Sequence, residues 1–276
     1  SDVCSSDLGG VDKTVRLWDL DVPGDGLVRI YDELVGSGNT TGLGVTPDGR
    51  HFLLGSGVYL GLYSLETGRQ VRRFDRPPGG VGGVAITPDN KRAIIGTYST
   101  ERNAVTRADL AGAAPVYLVL YDMETGSILH QAEAETSVMH LALTPDGSRV
   151  VFGIIDGIGV WDLATADIKQ YSGSTGRTIG VGVSPSGRHA VSTGNEKVMT
   201  LWDLDTGQVL DRTNCAGNWR TSPTFSPDGR KFVNRGSESG GVWELLTASE
   251  FESVVAGPPP TKITPLYQFP KDKLSI

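Results

Sequence analysis

Cysteine is nearly absent. Cys4 and Cys215 are the only two in 276 residues. That excludes a disulfide framework, and neither has neighbours at metal-ligand spacing. So little cysteine fits a reducing, cytoplasmic setting, as it also fits a secreted protein that needs no disulfide; the cytoplasmic setting is the one expected. No apolar run approaches the roughly 20 residues of a membrane-spanning helix, so no membrane partner is expected. Basic runs are missing too. Lys and Arg number 25 against 32 Asp and Glu, for a net charge of -7, and no stripe of Lys or Arg marks a nucleic-acid surface. The chain has no Walker sequence, no zinc-protease pair of His and no nucleophile elbow. No nucleic-acid partner and no cofactor is expected.

Glycine is abundant instead, at 37 residues, with 15 prolines. With 38 % hydrophobic residues the composition is that of a globular chain rich in tight turns. The first residues stand apart. Cys4-Ser5-Ser6-Asp7-Leu8 can be encoded by a run resembling a sequencing-adapter end, and Gly9-Gly10-Val11-Asp12 then reads as the middle of a repeat. Residues 1–8 are therefore read as non-native, the segment 1–10 is set aside from the repeats, and the natural protein is expected to continue upstream.

Two short motifs recur. Thr46-Pro47-Asp48-Gly49, Thr87-Pro88-Asp89-Asn90, Thr144-Pro145-Asp146-Gly147, Ser184-Pro185-Ser186-Gly187 and Ser226-Pro227-Asp228-Gly229 have prolines spaced 41, 57, 40 and 42 apart. Leu17-Trp18-Asp19-Leu20, Leu62-Tyr63-Ser64-Leu65, Leu120-Tyr121-Asp122-Met123, Val160-Trp161-Asp162-Leu163, Leu201-Trp202-Asp203-Leu204 and Val242-Trp243-Glu244-Leu245 have aromatics spaced 45, 58, 40, 41 and 41 apart. One long step is common to both series, so one unit carries an insertion. Before each proline, large and small residues alternate, as in Leu43-Gly44-Val45 and Val181-Gly182-Val183, at the period of a strand. Pro presets φ for the turn that follows, and Gly relieves its tight end. A second strand, a third ending at the aromatic-Asp pair, and a fourth after a Thr-Gly turn complete each unit. Ala166 and Ala248 replace that turn Gly, so those two turns are expected to differ.

A period of about 40–45 residues with a Trp-Asp pair is the WD40 signature. The chain resembles the WD40 family over roughly residues 11–254. It departs from the family in lacking the Gly-His pair, in Tyr63 and Tyr121 for Trp, and in Ser64 and Glu244 for Asp. The family's Asp-His-Ser-Trp tetrad is therefore incomplete. The resemblance implies an all-β fold, a β-propeller of four-stranded blades. Five complete blades are expected at about 39–75, 81–134, 137–172, 178–213 and 219–254, with residues 11–35 as the last two strands of an earlier blade. Trp18, Trp161, Trp202 and Trp243 are expected as core anchors between blades. Gly257-Pro258-Pro259-Pro260 is expected to stop the sheet and leave 257–276 as a tail. The whole is expected to be an open, self-associating arc, a fragment of a larger propeller.

Propellers host enzymes and binders alike. The innermost strands, at 40–46, 81–87, 138–144, 179–184 and 220–226, contain no Asp or Glu; their titratable residues are His140 and Arg220. A metal needs several ligands, so no metal, no catalytic residue and no enzyme activity is expected. The turn aspartates stand one per unit and read as turn chemistry. Two features remain as partner contacts. The insertion near 99–115 carries Arg102, Asn103 and Arg107, and the turn into the last blade carries Trp219 and Arg220. Loops on a rigid scaffold often bind, and Trp and Arg are favoured at hot spots. By the family resemblance both lie on one rim. The expected function is a non-catalytic scaffold binding other proteins, as part of a longer multidomain protein. The alternative is a lactonase-like propeller enzyme or small-ligand binder with its key residues upstream.

Overall fold

The computed structural model describes residues 14–18, 27–32, 40–99, 115–194, 197–214, 222–235, 240–247 and 260–269. All regular structure among them is β-strand. The chain divides into two compact units, Ser1–Met139 and His140–Ile276.

In the first unit, β1 (Val15–Trp18) and β2 (Leu27–Tyr31) pair as a two-stranded sheet. Then come two antiparallel four-stranded sheets. One holds β3 (Thr40–Val45), β4 (His51–Ser56), β5 (Tyr59–Ser64) and β6 (Gln70–Arg73), in chain order. The other holds β7 (Gly80–Ile86), β8 (Arg92–Tyr98), β9 (Val116–Asp122) and β10 (Ile128–Ala134). Apolar residues meet between neighbouring sheets. Val15 and Tyr31 pack on Phe52, Leu54 and Tyr63, so the hairpin β1–β2 lies against the sheet that follows it. Leu53, Leu60 and Leu62 pack on Val81, Ala93, Ile95, Val119 and Tyr121.

In the second unit, β11 (Leu141–Leu143), β12 (Arg149–Asp162), β13 (Ile168–Val183), β14 (His189–Gly194), β15 (Val198–Asp203) and β16 (Val209–Asn214) bond in one six-stranded series. Two of these runs are too long for one blade strand, and each does two jobs. A straight run would hold Phe152 and Gly159 about 23 Å apart. Yet a Cβ on Gly159 would collide with the Phe152 ring. The run therefore folds back at Asp156, which has φ +60°. Leu163 N–H donates to Ser148 O (2.9 Å) at the base of this hairpin, as Leu65 does to Arg50 and Met123 to Lys91. β13 pairs through 168–172 with the second arm of β12 and through 178–183 with β14. The series is thus two four-stranded blades joined through one continuous strand. Val151, Ile158 and Val160 pack between them on Val181, Ala190 and Trp202.

The last sheet is β17 (Thr224–Phe225), β18 (Lys231–Arg235), β19 (Gly240–Thr247) and β20 (Pro260–Phe269). Here the structure departs from the expected boundaries 219–254 and 257–276. The Pro-rich segment does not end the sheet; residues 260–269 are its fourth strand, antiparallel to β19. Pro265 is tolerated because β20 is the outer strand of its sheet, where a missing N–H breaks no second ladder. The register also shifts where Pro265 stands opposite Trp243.

The small face of each innermost strand has a physical cause. A Cβ on Gly182 would collide with the Pro223 carbonyl oxygen, and one on Gly82 with that of Val138. Pro223, just before β17, and Val138, a few residues after β10, come that close. Trp161 and Trp202 are fully buried, as are Tyr63 and Tyr121 at the same position. Trp202 Nε1–H donates to Ser192 Oγ (2.8 Å), so the Ser-Trp half of the family's tetrad survives in that blade. The side chains of Trp18 and Trp243 lie outside the described residues.

Candidate functional site

The five Pro-Asp-Gly-type turns share one bonding plan. Thr46 Oγ1 lies 2.6 Å from Asp48 Oδ1 and 3.0 Å from His51 O. It has one proton, and the charged acceptor at the shorter distance takes it. Asp48 Oδ1 also accepts from Arg50 N–H (3.0 Å), and Thr46 Oγ1 accepts from His51 N–H (2.9 Å). The same bonds recur at Asp89, Asp146 and Asp228. These hydrogen bonds favour the carboxylate and hold all four groups below the usual aspartate range. At the fourth turn Ser184 Oγ and Ser186 Oγ share a neutral bond of 2.9 Å. The turn position that favours Gly is left-handed throughout, and Asn90 adopts φ +59° there.

The aspartates of the aromatic-Asp pairs serve the next turn in the same way. Asp203 Oδ1 accepts from the N–H groups of Asp205 (3.0 Å) and Thr206 (2.9 Å). Asp162 Oδ1 accepts from Ala164 (2.8 Å) and Thr165 (3.0 Å). Ser64 Oγ replaces the carboxylate and accepts from Thr67 N–H (3.1 Å). The turn at Ala166 does not differ from its Gly counterparts, contrary to the sequence expectation. Ala166 takes φ +63° beside +73°, +78° and +74° at Gly68, Gly126 and Gly207, and its N–H bonds Asp162 O (2.9 Å) as theirs bond Ser64, Asp122 and Asp203. The aspartate cap outweighs the intrinsic cost of a left-handed alanine. Ala248 lies outside the described residues.

Arg102, Asn103, Arg107, Trp219 and Arg220 all lie outside the described residues. Their flanks are described: Tyr98 and Val116 bound the insertion, and Asn214 and Thr224 bound the turn into the last sheet. In each sheet, strand alternation puts these exits at the end opposite the Pro-Asp-Gly turns. Among the described residues no three His, Cys, Asp or Glu side chains form a group that could hold a metal ion. No described helix is long and apolar enough to cross a membrane.

The turn-bearing ends carry grooves that were not anticipated from the sequence. In the first unit a groove of about 460 Å³ is lined by Thr46, Asp48, His51, Leu62, Asn90, Lys91, Asp122, Met123 and Glu124. In the second unit a groove of about 290 Å³ is lined by Arg149, Val160, Asp162, Thr165, Asp167, Lys169, Tyr171, Leu204 and Asp205. The signal for them was the column five residues beyond the turn Thr or Ser. It reads His51, Arg92, Arg149, His189 and Lys231. His189 is buried, its Nε2 meets no hydrogen-bond partner, and burial pushes its pKa down.

Four-stranded sheets, two repeated turns and buried aromatics before the second turn define a propeller of WD40-type blades. Similarity to known proteins agrees. The chain is 28 % identical over 150 residues, 54 % of its length and 45 % of the relative's, to the WD repeat-containing protein SL1-17 of Schistosoma mansoni. It is 23 % identical over 247 residues, 86 % of the chain and 44 % of the relative, to autophagy-related protein 16 of Arabidopsis thaliana. To a p21-activated protein kinase-interacting protein 1-like protein of Xenopus laevis it is 27 % identical over 144 residues, 50 % of the chain and 38 % of the relative. No protein-family model matches. The chain spans less than half the length of these curated relatives. Repeats, sheets and relatives together support a likeness to the WD40-repeat proteins.

Proposed function

We propose that the chain is a non-catalytic scaffold that binds other proteins, within a longer multidomain protein. Its partner contacts are Arg102, Asn103, Arg107, Trp219 and Arg220. One observation carries this reading. The recurrent carboxylates, which are the obvious candidates for chemistry, are engaged in holding turns, and the innermost strands have none. What remains is a stiff β framework with an insertion and a Trp-Arg turn at loop ends. A relative whose name describes a kinase-interacting protein supports the same reading.

The test replaces all five residues with Ala and compares cross-linked partners of the two proteins, identified by mass spectrometry. The expected result is loss of a defined partner set with an unchanged unfolding midpoint. An unchanged partner set overturns the assignment of these residues.

A further inference from the structure

The two grooves occupy the same place in the repeat. Counting from the motifs, His51 corresponds to Arg149, Leu62 to Val160, Asn90 to Gly187, Met123 to Leu204 and Glu124 to Asp205. In the second unit the protein fills this place itself. Arg149 Nη1 donates to Leu204 O (3.3 Å) and Asp205 Oδ1 (3.3 Å), and Nη2 donates to Gly187 O (3.2 Å). Tyr171 OH adds a bond to Leu204 O (3.3 Å). Two carbonyls and a carboxylate thus form a cradle for one planar guanidinium.

In the first unit the cradle recurs and its occupant does not. His51 has a shorter side chain and no guanidinium. Phe74 bonds through its N–H to Leu60 O (3.1 Å), in the place where Tyr171 pairs with Ile158, and it has no hydroxyl to offer. The cradle is richer than its counterpart. Asn90 replaces Gly187, and its Oδ1 is buried without a hydrogen-bond partner. An unsatisfied buried acceptor is costly and favours any donor that reaches it. The floor is apolar, with Leu62 and Met123 both buried, and suits the methylene stem of a long cation. Asp48, Asp122 and Glu124 outnumber Lys91 among the charged lining residues. Lys91 does not exclude a second cation. Its counterpart Arg188 lies 3.4 Å from Asp203 Oδ2 while Arg149 occupies the neighbouring cradle.

We propose that the groove between β3–β6 and β7–β10 binds the side chain of an arginine presented by a protein partner. This rests on the scaffold reading and names a chemistry for one contact, at the opposite sheet end from Arg102 and Arg107. Arg149 is the protein's own template for that occupant.

The experiment titrates the full chain with the peptide acetyl-Gly-Arg-Gly-amide and with its Lys counterpart. It follows the Asn90 side-chain amide and the Glu124 backbone amide by NMR. Saturable shifts are expected with the Arg peptide, and binding roughly tenfold weaker with Lys, which cannot reach three acceptors in one plane. His51→Arg should abolish binding by supplying the guanidinium internally. Arg149→His should open a second site, reported by the Asp205 amide. Equal affinity for the two peptides, or undiminished binding to His51→Arg, overturns the proposal. Absence of peptide binding with cross-linked partners still lost on the five-residue Ala change leaves the scaffold standing and removes the groove. Peptide binding with partners unaffected by that change does the reverse to the rim residues.

Discussion

The two units are built on one plan and differ where side chains cross between sheets. The backbone bonds that close each second-to-third-strand hairpin are alike: Leu65 N–H to Arg50 O, Met123 to Lys91 and Leu163 to Ser148 at 2.9 Å, and Leu204 to Arg188 at 2.8 Å. Among the described side chains the anchors differ, with Tyr63 and Tyr121 in the first unit and Trp161 and Trp202 in the second. So do the grooves, with His51 in one and Arg149 in the other. The lesson is that the repeat specifies the frame through local bonds, while single columns decide which inter-sheet spaces the protein closes for itself. The first-unit groove is the space so left open, and it is where the proposed arginine would sit.

Trp202→Ala carries the largest expected effect. It removes a fully buried indole and leaves Ser192 Oγ without its donor, for an expected loss of about 3–5 kcal/mol. Denaturant unfolding measures it. An unchanged midpoint would mean that the second unit does not depend on its Trp anchors, and the comparison of anchors would fail.

Exchanging the groove residues sharpens the comparison directly. Arg149→His removes three charge-assisted bonds. The side chain of Asp205 is 59 % exposed, so that ion pair adds little, and most of the effect lies in the two carbonyls. A loss of about 1–2 kcal/mol is expected. His51→Arg should raise stability by up to about 1 kcal/mol as the first-unit cradle is filled. Thermal unfolding of both variants checks this. Two neutral results would show that the grooves are not equivalent.

A smaller effect is expected from Ala166→Gly. Its neighbours in the same column are Gly68, Gly126 and Gly207, and all four are left-handed. Relieving the Cβ clash should stabilise by about 0.5–1 kcal/mol, less than the full left-handed cost because Gly gains freedom in the unfolded chain. A loss of stability would show that the Ala166 turn is not strained.

Much of this frame was legible because it is written locally. Proline, the turn aspartates and the period-2 alternation act within a few residues, and the bonds around Thr46 and Asp48 span at most five positions. What was not legible acts at a distance. The Arg149 contacts join residues 38, 55 and 56 positions apart, and although its repeat column marks the position, no local motif names its partners. Strand β20 was misread because three consecutive prolines look like a stop. Its pairing is set by the edge of β19, for which local sequence offers no sign. Ala166 was misread because propensity was weighed without the Asp162 cap that overrides it.

The smallest expected effect separates two turns within the second unit. Asp146 is held down to about 2 by bonds from Thr144 Oγ1, Ser148 N–H and Ser148 Oγ, whereas Ser186 at the same position in the next blade has no proton to gain. A carboxyl whose folded pKa lies below its unfolded value of about 4 contributes stability that is fully present above that value. The contribution is lost as pH falls through the folded pKa, because the unfolded chain then binds more protons. Wild-type stability should therefore fall between about pH 4 and pH 2. Asp48, Asp89 and Asp228, whose pKa values are also lowered, add to the slope. Asp146→Asn should lower stability slightly at neutral pH and flatten that slope, so that the two proteins converge in acid. Ser186→Asp should do the opposite and steepen it. Asp146 is largely exposed, so both changes are small and are best read as unfolding midpoints at several pH values under one salt concentration. Parallel curves for wild type and Asp146→Asn would show that the turn carboxylate is not engaged, and the distinction between the two turns would fall.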